Sequence, residues 1–134
     1  MTKIKKYQMY INNEFVEAED GKRFDSLNPE NNQAWASFPE ANTNDVSKAV
    51  QAARDAFNGW SKLEVAKRAQ YLRAIGDLLK ENAELLGRTE TIDSGKLLKE
   101  TKFATEYVRD YFHFYAYLAE KMENEFVIPK IDKP

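Results

Sequence analysis

Apolar and polar residues change their rhythm near position 40 of this chain. Before that point they come in short runs broken by turn residues. Tyr10-Ile11, Asn12-Asn13 and Glu14-Phe15-Val16 read as strand, turn and strand, because paired asparagines tolerate the positive φ angles of a two-residue hairpin. Asp20-Gly21 is a second turn signal, and Arg23 to Leu27 follows as another strand. Asn28-Pro29 and Asn31-Asn32 make a loop, and Ala34 to Phe38 is a further strand closed by Pro39.

From Thr43 onward the period is helical. Val46, Ala49, Val50, Ala53, Ala56, Phe57 and Trp60 share one face of a helix over 43–59, with Thr43 or Asn44 as its cap and Asp45 in its first turn. Ser61-Lys62-Leu63-Glu64 has the form of a capping box and starts a second helix over 62–93, with a bend allowed near Asn82. Its stripe is Val65, Ala69, Leu72, Ile75, Leu79, Ala83 and Leu86. A third helix spans 98–122. Ala104, Tyr107, Tyr111, Phe114, Tyr115 and Leu118 form its apolar stripe, which Val108 and Phe112 widen beyond what two companion helices require. Lys102, Glu106, Arg109, His113 and Glu120 form its polar stripe. The fold class is therefore α+β: a short-strand meander over 1–40, three main helices within 43–122, and a strand-like tail over 123–134 carrying Phe126-Val127-Ile128.

Composition narrows the partners more than it changes this picture. The 134 residues suit one domain, and 43% hydrophobic content supplies material for a core. A net charge of −2 argues against nucleic acid, which needs a basic surface. Lys3, Lys5 and Lys6 are the one basic cluster and read as a solubilising tail. No cysteine is present, so these residues supply no disulfide and no thiolate nucleophile. The N-terminus lacks the apolar run of a secretory signal and no stretch has membrane-spanning length, so the expectation is a cytoplasmic protein with no membrane partner.

The segment ETIDSGKLLKE, Glu90 to Glu100, draws attention as chemistry. A phosphate loop needs a glycine five positions before Gly-Lys and a hydroxyl residue after it; Glu90 and Leu97 stand there instead. The simpler reading is a helix stop, with Gly95 left-handed and Asp93 and Ser94 bonding loose backbone groups. His113, the single histidine, reads as part of a solvated face beside Arg109. The aromatic run Tyr111 to Tyr117 is spaced for helix packing and lacks the interleaved basic residues of a base-stacking surface. Glu84, Glu90 and Asp93 read as surface charges, and Ser94 has no activating base placed by sequence.

In order and spacing, the chain from Met9 to Ile131 resembles the start of the NAD(P)-dependent aldehyde dehydrogenase superfamily. The resemblance rests on YINNEFV, DGKRF, Asn28-Pro29, DVSKAVQAARDAFNGW and RAQYLRAIGDLLKENAELLGRTETIDSGK. Leu97 departs from a common proline after Gly-Lys, and NPENNQ from a common Thr-Gly-Glu; both lie in loops.

The resemblance implies the opening part of a fold that continues into a Rossmann-like cofactor domain and a catalytic domain. The implied activity of the whole is oxidation of aldehydes to carboxylic acids with NAD or NADP. The family's nucleophilic cysteine, general-base glutamate and cofactor phosphate contacts lie later, so no catalytic or NAD-contacting residue is assigned, and the chain by itself is expected to be inactive. The implied partners are the rest of the subunit and, in the parent enzyme, a homo-oligomer. The resemblance also implies a structural monovalent cation, bound by the Ser26 backbone carbonyl and the Asp93 side chain, with oxygen ligands throughout. The competing reading is a stand-alone helical interaction module that has lost the catalytic machinery.

Overall fold

The computed structural model describes residues 4–125, with side chains to residue 122. The expected tail over 123–134 lies largely outside the described residues. Five strands precede four helices: β1 Lys5–Lys6, β2 Met9–Ile11, β3 Glu14–Val16, β4 Arg23–Asn28, β5 Gln33–Pro39, α1 Thr43–Trp60, α2 Val65–Glu81, α3 Ala83–Ser94 and α4 Leu98–Glu125. The architecture is α+β, and the strand region forms two small sheets.

β2 and β3 make the hairpin, with Ile11 facing Glu14 across Asn12-Asn13. Both asparagines sit at positive φ, 53° and 64°, the conformation a two-residue hairpin turn requires. β4 and β5 pair antiparallel with a bulge between Ser26 and Leu27. The turn joining them is tied by Asn28 Oδ1, which accepts from Glu30 N at 2.9 Å.

β1 corrects the reading of the N-terminal lysines as a mere tail. Lys5 and Lys6 pair in parallel with Ala36 and Ser37, giving the order β1-β5-β4. Arg23 helps hold this arrangement: its Nη2 donates to Tyr7 O at 2.6 Å and Ser37 O at 2.7 Å, while Nη1 pairs with Glu17. Arg23 thus satisfies carbonyls where the short β1 ladder ends.

Capping differs from the sequence expectation at two places. The cap of α1 is Asn42, not Thr43 or Asn44. Asn42 Oδ1 accepts from Asn44 N and Asp45 N, and Asp45 Oδ2 accepts from Asn42 N at 3.0 Å, completing a capping box. Asp45 also accepts from Glu19 N, which ties the helix start to the strand region. Ser61 does not cap a second helix. It ends α1, its N–H reaching Phe57 O, and α2 begins at Val65 with no side-chain cap bond. The helical backbone runs through Trp60 into Ser61 (φ −65°), which removes Ser61 from the extended geometry of an N-cap.

The single helix expected over 62–93 is two, broken at Asn82, where the backbone leaves the helical well and Asn82 Nδ2 donates to Leu78 O at 2.8 Å. α3 ends at Gly95, left-handed at φ 75°, as the helix-stop reading requires.

α4 packs along α2 and α3 through small residues. Ala69, Ala83, Ala116 and Thr101 are buried there, with Thr101 at 1% exposure. At Gly87 an added Cβ would lie 2.9 Å from Lys102 Cα, and at Gly76 it would lie 3.0 Å from Phe112 Cβ. Ion pairs flank this seam: Arg73 binds Glu120 bidentately at 2.8 and 2.6 Å, Arg109 Nε reaches Asp77 at 2.8 Å, and Lys102 reaches Glu84 at 2.9 Å. His113 and Arg109 are therefore not a solvated face. Their stems lie along the seam and their heads pair across it, since glycine and alanine bring the backbones close enough for long polar side chains to span the gap. The aromatic stripe is on the outside: Tyr107, Tyr111, Phe114 and Tyr115 are each at least half exposed.

Among the described residues the fully buried apolar side chains are all alanines: 18, 36, 69, 83 and 116. No leucine, isoleucine, valine or aromatic residue joins them. The larger apolar side chains border surfaces that the described chain does not close.

Candidate functional site

Ser26 and Asp93, 67 positions apart, meet where the β4 bulge faces the end of α3. Ser26 Oγ donates to Asp93 Oδ1 at 2.5 Å, and Trp35 Nε1 donates to Ser26 Oγ at 3.2 Å. The serine hydroxyl is thus oriented by the indole and aimed at the carboxylate. Close packing sustains the approach, since Gly95 lies against the Pro29 ring. Sequence reasoning missed Trp35; the signal was available, because a partly buried indole N–H requires an acceptor.

The contact uses the serine hydroxyl, whereas the expected cation ligand at this position is its carbonyl. Among the described residues Asp93 has no ion-pair partner, while its neighbour Glu90 is taken by Lys96 at 2.6 Å. That hydrogen bond raises the Lys96 pKa above its ordinary value. Lys96 is therefore committed to a carboxylate instead of facing a phosphate. Ser94 Oγ donates to Glu90 O at 2.6 Å, a helix-end bond with no catalytic geometry.

Beside this pair lies an open groove of about 520 Å³. Tyr7, Trp35 and Phe38 form its sheet side; Leu79, Leu86 and Val108 its helical side; Glu90 and Asp93 contribute the carboxylates. The ring of Tyr7 stacks on Phe38 at 5.0 Å and Trp35 meets Phe38 edge-on at 6.3 Å, so the aromatic wall is ordered.

The remaining titratable groups form the helix seam. The Arg109 hydrogen bond holds the Asp77 carboxyl below its usual range, with His113 adding a second bond at 3.0 Å. Lys102, then Arg88, lowers Glu84, and Arg73 lowers Glu120. Each shift follows from a hydrogen-bonded cation and reports structural pairing. Among the described residues no group of three or more His, Cys, Asp or Glu is placed to hold a metal. No described helix is long and apolar enough to cross a membrane.

The fold, two small sheets followed by a helical layer with no nucleophile–base pair of its own, has the form of a supporting segment of a larger oxidoreductase. Residues 15–133 match the aldehyde dehydrogenase family profile, and the chain belongs to that family. It is 41% identical over 134 residues to (Z)-2-((N-methylformamido)methylene)-5-hydroxybutyrolactone dehydrogenase of Acinetobacter baylyi, covering 98% of this chain and 26% of that protein. The structure of an NAD-dependent aldehyde dehydrogenase from Sinorhizobium meliloti superposes with a TM-score of 0.84 at 28% identity, over 88% of this chain and 24% of that one. Betaine aldehyde dehydrogenase from Staphylococcus aureus, solved with NAD+, gives 0.81 at 35% identity over 85% and 24%. The chain spans about a quarter of the length of the relatives it matches.

Proposed function

We propose that residues 1–134 serve as the N-terminal region of an NAD(P)-dependent aldehyde dehydrogenase, a protein that oxidises aldehydes to carboxylic acids. The carrying observation is the superposition of 88% of this chain on a quarter of a whole NAD-dependent relative. The chain's own contribution is structural: it supports the cofactor and catalytic parts and supplies neither the nucleophile nor the phosphate cradle. When bound in the whole protein, NAD or NADP supplies the hydride acceptor. The working location is the cytoplasm, and the whole subunit forms a homo-oligomer.

Ser26 and Asp93 would hold part of a monovalent cation site. The donor chemistry fits: both residues offer hard oxygen, and one carboxylate without an ion-pair partner matches a single positive charge better than a divalent ion. Further ligands would come from the rest of the subunit.

The test has two arms. The purified chain, given a panel of aldehydes with NAD+ or NADP+, is expected to form no reduced cofactor above a blank. Grafted in place of the matched segment of the Acinetobacter relative, it is expected to support oxidation, with a sodium- or potassium-dependent rise in melting temperature that Asp93→Ala removes. Turnover by the chain alone would overturn the structural role. An inactive graft that folds normally would favour the second reading, an interaction module using the exposed aromatic row of α4.

A further inference from the structure

We infer that the groove between the β1-β5-β4 sheet and the helices is the seat of an apolar ridge from the rest of an aldehyde dehydrogenase subunit. This rests on the N-terminal reading above and adds the surface that does the docking. Three observations lead there.

The first is what the groove lacks. A folded domain closes its core over large apolar side chains. Here the fully buried apolar residues are alanines, and Trp35, Phe38, Leu79 and Val108 remain half-buried around about 520 Å³ of open space. Groups from both sheet and helices converge on this space, so it lies where a core would be completed.

The second is what the groove would accept. The Trp35 indole N–H is already satisfied by Ser26, and Glu90 by Lys96. The walls then offer ordered rings and aliphatic carbon, a surface that rewards apolar side chains and penalises unpaired polar ones.

The third is who can supply the occupant. The relatives carry about four times the length present here. A second copy of this chain fits poorly. A twofold contact would set one hollow against another, and inserting the α4 aromatic row of one copy into the groove of the next is a head-to-tail contact that need not close. A convex element from the rest of the same subunit meets neither difficulty.

The test co-expresses this chain, tagged, with the part of the Acinetobacter relative that follows its matched segment, so the pieces fold together. Capture and sedimentation then measure association. Ala104→Trp fills the groove from an exposed helix position, and Tyr111→Ser alters the outer row of α4. A Trp60→Phe background leaves Trp35 as the one tryptophan, whose emission reads the groove without any groove substitution. The expected result is a one-to-one complex, a blue shift of Trp35 on assembly, at least tenfold weaker association for Ala104→Trp, and less than threefold change for Tyr111→Ser. Assembly with no Trp35 shift and an unaffected Ala104→Trp would overturn the groove and leave the N-terminal reading intact. Absence of assembly by the unsubstituted chain would sink both. Self-association that Ala104→Trp abolishes would assign the groove to a second copy instead.

Discussion

The side of α4 that meets α2 and α3 is built from Thr101, Ala116 and charged side chains, whereas the opposite side carries Tyr107, Tyr111, Phe114 and Tyr115 in the open. The hydrophobic effect by itself would place these the other way round. The inner face instead relies on close backbone approach at Gly76 and Gly87, hydrogen bonding by Thr101, and ion pairs along the edges. The outer face keeps apolar area that a larger assembly can cover. A helix can thus be well held on its polar side while its apolar side waits for further chain.

The strongest way to break this comparison is to force the inner face apart. Gly87→Val places a branched side chain where even a Cβ meets the Lys102 backbone at 2.9 Å. It should lower stability by about 3 kcal/mol through overpacking, read by chemical denaturation. Tyr111→Val on the outer face should change stability by less than about 0.5 kcal/mol.

Thr101→Val comes next. It removes the bond from Oγ1 to Gly87 O at 2.9 Å and strands a buried carbonyl, at a cost of about 1–2 kcal/mol. Thr101→Ser, which keeps the hydroxyl, should recover part of that loss in the same titration.

Acid should sharpen the contrast more gently. Asp77, Glu84 and Glu120 have folded pKa values below their ordinary ones, owing to hydrogen bonds from Arg109, Lys102 and Arg73. Their contribution is therefore fully present above the unfolded values near about 4 and is lost as pH falls through the lowered folded values. Solvent screening keeps the effect modest. Helix content followed from pH 6 to about 2 should show the loss, and Asp77→Asn should flatten its share of it.

The smallest stability effect belongs to the outer row. Tyr111→Ser with Phe114→Ser should leave the melting curve nearly unchanged while reducing self-association in sedimentation, because exposed apolar area is removed and no packed contact is lost.

The same contrast shows what the sequence carries. Asn12-Asn13 and Gly95 are legible because a tight turn and a helix stop are decided within a few residues. The helical stripes are legible as period but not as direction: spacing says that Tyr107 and Tyr111 share a face, not which neighbour that face meets. The inward turn of Arg109 and His113 depends on Asp77, 32 and 36 positions away, and on the small residues beneath them. Pairing of β1 with β5 is likewise non-local, so two lysines give no local hint of it. For the candidate site, no local pattern links Ser26 to Asp93. Family resemblance singled out the pair, and the structure adds the hydroxyl contact and the supporting Trp35.

The central claim is that this chain folds around a core it does not close. Scanning calorimetry of the purified 134-residue chain tests it most directly. A closed globular domain unfolds with about 0.7 kcal/mol of enthalpy per residue near 60 °C in one sharp transition. The account predicts a broad transition with well under half that enthalpy, becoming sharp when the rest of a subunit is co-expressed. A single sharp transition with the full enthalpy from the isolated monomer would contradict it.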